Sequence, residues 1–136
     1  MEFITRSSKE SAVKILTVDD SRSVRHMISM TVELLGYGVL EAENGVEGLM
    51  VLEQNPGEVA MILLDWNMPE MDGITFLKKI KADERFKDIP VTMVTTETER
   101  VKMIEAIQCG AKTYVAKPFS QEMLVAKISE CLGMGF

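Results

Sequence analysis

Short apolar runs and segments of helical periodicity alternate along this chain. Five runs predict strands, at residues 13–18, 39–42, 61–64, 89–94 and 113–116. Aliphatic runs of this length, closed by turn signals, are typical of strands buried on both faces of a sheet. Pro90 falls near the start of the fourth run, where a missing N–H donor is tolerated. The pattern therefore predicts five buried strands.

Between the runs, apolar residues recur at the three- and four-residue spacing of amphipathic helices. Ser21 or Ser23 can cap the first helix, Gly36 follows its end, and Thr98 can cap the fourth. The second helix is expected at residues 45–54. The expected buried positions of the other helices are Val24, Met27, Ile28, Thr31, Leu34 and Leu35 in the first, Ile74, Leu77 and Ile80 in the third, Val101, Ile104 and Ile107 in the fourth, and Leu124, Ile128 and Leu132 in the fifth.

Five strand–helix units in about 120 residues are too few for a closed eight-stranded barrel, so we expect an α/β fold with an open, doubly wound parallel sheet. Right-handed crossovers favour the strand order 2-1-3-4-5 with five helices on two faces, the flavodoxin-like arrangement. In that order strands one and three are neighbours, and the strand order reverses between them. Ligands of such sheets bind outside the carboxyl ends of the strands at the reversal.

Composition and charge exclude several classes of function. The chain has 136 residues, 46% of them hydrophobic and 26% charged, which predicts one globular domain at residues 12–136 behind a flexible tail at 1–11. The net charge of −6, without runs of Lys or Arg, argues against nucleic-acid binding. No secretory signal and no apolar segment of roughly 18 residues is present, so we expect no membrane insertion and a cytoplasmic location. Cys109 and Cys131 stand apart, which predicts free, buried or half-buried thiols.

Acidic residues stand at the ends of the two strands that flank the reversal. Asp19 and Asp20 follow the first strand, and Asp65 follows the third, so we expect all three in one crevice. Two unit charges 4 Å apart repel by roughly 4 kcal/mol at an effective dielectric near 20. Either one acid stays protonated or a cation fills the site, and oxygen ligands without His or Cys favour Mg²⁺. The alternative for the single residues is that Asp20 is a helix cap and Asp65 a turn residue.

Two further strand ends carry groups suited to phosphate chemistry. The fourth strand ends at Thr95, a hydroxyl donor, and the fifth runs into Lys117, a point charge suited to phosphoryl oxygens. Taken singly, Thr95 is as well explained as a cap and Lys117 as a solvated surface residue. Acids, hydroxyl and ammonium at four strand ends together favour a phosphate site.

These residues resemble the response-regulator receiver domain family, and within it the single-domain regulators of chemotaxis. The resemblance covers about residues 13–133. The strand order 2-1-3-4-5 is the order that this family is known for, so the predicted order is not independent support for the resemblance. The motifs that carry the resemblance are Val18-Asp19-Asp20, Asp65-Trp66-Asn67-Met68-Pro69-Glu70-Met71-Asp72-Gly73, Val94-Thr95, Gly110-Ala111 and Tyr114-Val115-Ala116-Lys117-Pro118-Phe119.

The resemblance implies a role for each residue of the site. Asp65 would accept a phosphoryl group from a histidine kinase. Lys117 would neutralise the phosphoryl oxygens, Thr95 would donate to one of them, and the Lys117–Pro118 peptide would be cis. The implied ligands of Mg²⁺ are the carboxylates of Asp20 and Asp65 and the backbone carbonyl of Asn67, with Asp19 acting through a bound water.

The resemblance also implies how a signal would leave the site. Phosphorylation would draw in the Thr95 hydroxyl, and Tyr114 would then swing inward. Met103, Tyr114 and Phe119 would lie on or near a partner-binding surface. The implied partners are a histidine kinase, a flagellar switch protein or other output protein, and a phosphatase.

Three functions stay open on the sequence alone. The first is a phosphorylation-controlled binding module in chemotaxis. The second is a stand-alone receiver that acts as a phosphate sink, a relay or a stress-response adaptor. The third, a hydrolase of external substrates, usually needs a second acid two positions beyond the nucleophile, where this chain has Asn67. We therefore expect no enzyme activity beyond the domain's own phosphoryl transfer and slow autodephosphorylation.

Overall fold

The computed structural model describes residues 13–96 and 100–133, and in these ranges five strands alternate with five helices. Each strand begins and ends within two residues of its predicted run. The predicted tail at 1–11 and the predicted cap Thr98 lie outside the described residues. The elements are β1 (Lys14–Val18), α1 (Arg22–Leu34), β2 (Gly38–Ala42), α2 (Gly45–Gln54), β3 (Val59–Leu64), α3 (Gly73–Lys81), β4 (Val91–Thr95), α4 (Arg100–Gln108), β5 (Thr113–Ala116) and α5 (Gln121–Leu132).

In the described part of the chain the strands form one parallel sheet in the order β2-β1-β3-β4-β5, which confirms the predicted order. The last residue of β1, Val18, pairs with Ala42 of β2 and with Leu64 of β3. Asp19 and Asp65 are the next residues of β1 and β3, so the register brings them to the same edge. Further along the same edge of the sheet, Thr95 at the end of β4 pairs with Ala116 at the end of β5.

Apolar side chains cover both faces of the sheet. Helices α2 and α3, together with Ala106 of α4, close one core, whose members include Leu16, Val18, Ile62, Leu64, Phe76, Leu77 and Ile80. Helices α1 and α5 close the other, whose members include Ile15, Ile28, Val32, Met61, Leu63, Val94, Leu124 and Ile128. Successive strand residues alternate between the two cores, as the pleat of a strand requires. Burial on both faces explains why the strands are apolar runs.

Side-chain caps fix where most helices begin. Ser21, one of the two predicted candidates, accepts the backbone N–H of Val24 at the start of α1. Asp72 caps α3 by accepting the N–H of Thr75 at 3.0 Å. Because these side chains satisfy N–H groups that lack a partner in the helix, they fix the first residues of α1 and α3.

The predicted buried face of α1 is partly wrong. Ile28 and Thr31 are buried as expected, but Leu34 is 73% exposed and Met27 is also exposed. Arg25 is buried instead, together with Ser29 and Val32. The physical reason is a polar partner on β2, because Glu41 accepts hydrogen bonds from Arg25 and Ser29 and so satisfies these polar side chains when they are buried.

The predicted buried face of α4 is wrong as well. Val101 is 76% exposed, and Ile104 and Ile107 also face solvent. The residue that packs against the sheet is the small Ala106, with Met103 half-buried beside it. Helical periodicity gives the spacing of an apolar stripe, but it does not say which side of a short helix meets the core.

Cys109 is half-buried and Cys131 buried, and both thiols are free, as predicted. No helix in the described ranges is long and apolar enough to cross a membrane.

Candidate functional site

Three carboxylates meet at the carboxyl end of the sheet. One oxygen each of Asp19, Asp20 and Asp65 lies within 4.8 Å of the other two. Asp19 and Asp65 are buried, whereas Asp20 is exposed. The strand order thus brings these acids together as expected, in a pocket with one wall open to solvent.

Asp65 is held from both sides by backbone groups. Its own N–H donates to the carbonyl of Val18 at 2.9 Å, and the N–H of Trp66 donates to its Oδ1 at 2.8 Å. Burial, followed by the negative charge of Asp19, raises the pKa of Asp65 to about 6, although Lys117 and the Trp66 N–H act against the rise. A cation in the pocket would favour the ionised form.

Lys117 brings a positive charge to the two buried acids. Its Nζ lies 2.9 Å from Asp19 Oδ2 and 3.5 Å from Asp65 Oδ1. The contact with Asp19 is an ion pair whose angles do not meet those of a hydrogen bond. The Lys117–Pro118 peptide is cis, as the family resemblance implied. The N–H of Lys117 also donates to the carbonyl of Thr95 at 3.0 Å, so the end of β5 is tied to the end of β4.

The loop after Asp65 folds back tightly onto it. Gly73 N–H donates to the carbonyl of Trp66 at 2.8 Å. A Cβ at Gly73 would lie 2.1 Å from the carbonyl oxygen of Asp65, so only glycine fits this approach. Asn67 lies two residues beyond Asp65 in this loop, and its side chain is exposed.

A narrow crevice lies between strands β4 and β5 and helix α4. Thr95, buried at the end of β4, lines it together with Trp66, Met103 and Tyr114. Tyr114 is 43% exposed, and Phe119 is half-buried. Thr95, Met103 and Tyr114 therefore border one crevice, whereas Phe119 packs against the core that α1 and α5 close.

Comparisons with known proteins agree with this geometry. Residues 15–129 match the family model of the response regulator receiver domain. This chain is a receiver domain. It is 44% identical over 122 residues to chemotaxis protein CheY1 of Helicobacter pylori strain J99, covering 89% of this chain and 98% of that protein. It is 42% identical over 124 residues to a CheY homolog of Campylobacter jejuni, covering 90% and 95%.

Solved structures give the same result for the fold. The structure of CheY4 from Vibrio cholerae superposes with a TM-score of 0.82 at 37% identity, covering 88% of this chain and 98% of that one. Receiver domains are signalling domains and not enzymes in the usual sense.

The acidic pocket of this receiver domain fits a hard divalent cation. Its donors are carboxylate oxygens, and it contains no His or Cys ligand among the described residues. Asp19 and Asp65 are both buried, and burial, followed by the charge of Asp19, raises the pKa of Asp65, so a further cation would favour the ionised pocket. The exposed carboxylate of Asp20 leaves a path for an ion to enter.

One residue of the site was missed by the sequence analysis. Arg25 of α1 donates from Nη1 to the carbonyl oxygen of Asp19 at 2.6 Å. Its Nε donates to Glu41 Oε1 at 3.0 Å. A single charged residue between apolar positions on a helix normally indicates a solvent-facing side chain, so the pattern contains no signal for this contact.

Proposed function

We propose that this receiver domain is a phosphorylation-activated signalling module in which Asp65 accepts a phosphoryl group from a histidine kinase. The observation that supports it is the arrangement around Asp65: two further carboxylates and the ammonium of Lys117 within one pocket that opens to solvent at Asp20. This combination can bind a phosphoryl group and its counter-charges, whereas each residue alone could not.

The pocket would hold Mg²⁺ through the carboxylates of Asp19, Asp20 and Asp65 and the backbone carbonyl of Asn67. When bound, the ion neutralises oxygens of the incoming phosphoryl group and of the acids. Asp65 Oδ1 accepts the Trp66 N–H, so Oδ2 is the attacking atom. The new bond is Oδ2–P, the P–N bond to the kinase histidine breaks, and its electron pair returns to the imidazole.

Lys117 and Thr95 would stabilise the product. Lys117 already lies 3.5 Å from Asp65 Oδ1, so its ammonium can move onto a phosphoryl oxygen with little rearrangement. The hydroxyl of Thr95 would donate to another. Asn67 stands where a hydrolase would carry its second acid, so the acyl phosphate would be lost only slowly to water or by the action of a phosphatase.

The output would pass through the crevice beside Thr95. A phosphoryl group adds about two negative charges at pH 7 and strong acceptors. Movement of Thr95 toward it makes room for Tyr114, whose half-exposed ring can turn inward and change the surface formed with Met103 and Phe119. The exposed apolar side chains of α4 favour a partner-binding output over a simple phosphate sink.

The relatives that match nearly the whole chain are chemotaxis proteins, which supports a role in chemotaxis, with a flagellar switch protein as the output partner. This role places the protein in the cytoplasm and makes residues 12–136 the signalling unit. Affinity for a purified flagellar switch protein that rises with acetyl phosphate and Mg²⁺ would support it. An unchanged affinity would instead favour a sink, a relay or an adaptor.

The phosphoacceptor is tested by intact mass after incubation with acetyl phosphate and Mg²⁺. We expect one phosphoryl adduct on the wild-type chain and none on Asp65→Asn. Asp72→Asn is the matched control, since it removes an acid from the same loop while Asn caps α3 as well as Asp does. An equal adduct on Asp65→Asn would place the phosphoryl group on another residue.

A further inference from the structure

The guanidinium of Arg25 is buried beneath the acidic pocket. The residue is 8% exposed, although it lies in the first turns of a surface helix. Its Nη1 donates to the Asp19 carbonyl at 2.6 Å and its Nε to Glu41 at 3.0 Å. Ser29 donates to the second carboxylate oxygen of Glu41 at 3.1 Å, so the acceptor of Arg25 is itself fixed.

These contacts hold the peptide that joins two acids of the pocket. The carbonyl of Asp19 belongs to the same planar peptide as the N–H of Asp20, so an anchor on that oxygen also sets the direction in which Asp20 leaves the backbone. On its other side, the N–H of Asp19 donates to the carbonyl of Ala42 at 3.0 Å. Strand β2 and helix α1 therefore clamp the turn from both sides.

Asp20 depends on this clamp more than its neighbours do. Asp19 is additionally fixed by the N–H of Ser21, which donates to its Oδ1, and by Lys117. Asp65 is fixed by the N–H of Trp66. Asp20 is exposed, so the position of its carboxylate follows from the backbone that carries it.

Burial of the Arg25 guanidinium on this face of α1 carries a large desolvation cost. An apolar side chain of similar volume normally packs there at no cost in desolvation. Arginine supplies what an apolar residue cannot, a planar fork that binds a carbonyl and a carboxylate at the same time. An arginine at this position is therefore better explained by its contacts with the Asp19–Asp20 turn than by packing.

We propose that Arg25 is a positioning residue for the cation site, which holds the Asp19–Asp20 peptide so that the Asp20 carboxylate faces Asp65. The proposal rests on the proposed function, because it concerns the same Mg²⁺ site. It makes a prediction with a definite sign. A positive charge beside a cation site repels the ion, so if charge alone mattered, loss of Arg25 would tighten Mg²⁺ binding, whereas loss of positioning weakens it.

The test compares Mg²⁺ affinity, measured by titration calorimetry, in the wild-type chain and in Arg25→Met, which keeps the apolar stem and removes the fork. We expect affinity about tenfold weaker, the lower end for outer partners of a metal site. The rate of adduct formation from acetyl phosphate should fall at low Mg²⁺ and return to within about twofold at saturating Mg²⁺, since the reacting groups themselves are intact. If Arg25 only stabilised the fold, its loss would lower the rate at saturating Mg²⁺ as well as at low Mg²⁺.

Lys14→Met is the matched control. It also removes one positive charge, from an ion pair with Glu58 at the amino end of β1, and should leave Mg²⁺ affinity unchanged. Should Arg25→Met fail to fold by circular dichroism, Arg25→Lys decides: a loss of severalfold supports the proposal, and wild-type affinity overturns it.

Equal or tighter binding by a folded Arg25→Met overturns the positioning role and leaves the proposed function standing. A wild-type chain that binds no Mg²⁺ and forms no adduct overturns the proposed function, and the role of Arg25 with it.

Discussion

The acidic pocket and the outer face of α4 are neighbours, yet they are built in opposite ways. In the pocket, backbone N–H groups and charged side chains hold the acids from several sides, with Asp19 clamped by Arg25 and Lys117. On α4, Val101, Ile104 and Ile107 form an apolar stripe that no described part of the chain covers. Chemistry needs groups fixed before the reaction, whereas an output surface needs apolar area left for a partner.

The largest effect on the rigid pocket is expected from a substitution at Gly73. We expect Gly73→Ala to lower the free energy of unfolding by more than about 3 kcal/mol, beyond the usual cost of overpacking, because the new Cβ would lie 2.1 Å from the backbone oxygen of Asp65. Urea unfolding measures this loss, and the same clash should reduce adduct formation.

Gly57→Ala is the matched control for that substitution. Gly57 has a φ of +74° and nothing within 4 Å of a built Cβ, so only backbone strain of about 1 kcal/mol applies. If both variants lost the same stability, the tight approach at Asp65 would not be what constrains Gly73.

In the absence of a cation, the ionised carboxylate of Asp65 destabilises the folded pocket, and Asp65→Asn should remove this destabilisation. The folded pKa of Asp65 is about 6, against an ordinary value of 3.8. Between these values the folded chain binds more protons than the unfolded chain, so this group's contribution to stability is lost as pH rises through the window. At pH 7 without divalent cations, Asp65→Asn should raise the free energy of unfolding by up to about 3 kcal/mol.

The pH dependence of that gain provides its check. Near pH 4, close to the ordinary pKa of 3.8, most of the advantage of Asp65→Asn should be gone, and it should vanish at still lower pH, where Asp65 is protonated in both states. Mg²⁺ should shrink the gain at pH 7, since the ion stabilises the ionised wild-type pocket. Chemical unfolding at pH 4 and pH 7 measures both effects, and equal stability of the two chains at pH 7 would contradict the raised pKa.

Loss of Lys117 separates charge neutralisation from cation binding within the pocket. Lys117→Met should slow adduct formation at saturating Mg²⁺ about 100-fold, the usual cost of removing one group that stabilises a transferred charge. Mg²⁺ affinity should stay equal or increase, because the ammonium and the ion compete for Asp19 and Asp65. Parallel loss of rate and affinity would instead indicate that the pocket had collapsed.

The two regions also differ in how far the sequence predicted them. The acids could be placed because strand ends are visible as apolar runs stopped by Asp, and the strand order then puts β1 beside β3. The stripe of α4 was assigned to the core because its spacing is the same whether it faces the sheet or a partner. Arg25 could not be found, since its burial depends on Glu41, which is distant in sequence and near only in the fold.

The smallest effect is expected on α4, where Ile104→Ala should change the free energy of unfolding by no more than about 0.5 kcal/mol. Ile128→Ala, the same change on a fully buried residue of α5, should cost about 2 to 5 kcal/mol. Urea unfolding of both gives the contrast. If the stripe serves output, Ile104→Ala should still weaken binding of the phosphorylated chain to its partner while adduct formation stays normal, because the side chain contributes to a surface and not to the core. A large loss of stability in Ile104→Ala would show that α4 is packed like α5, and the difference between fixed pocket and open face would be lost.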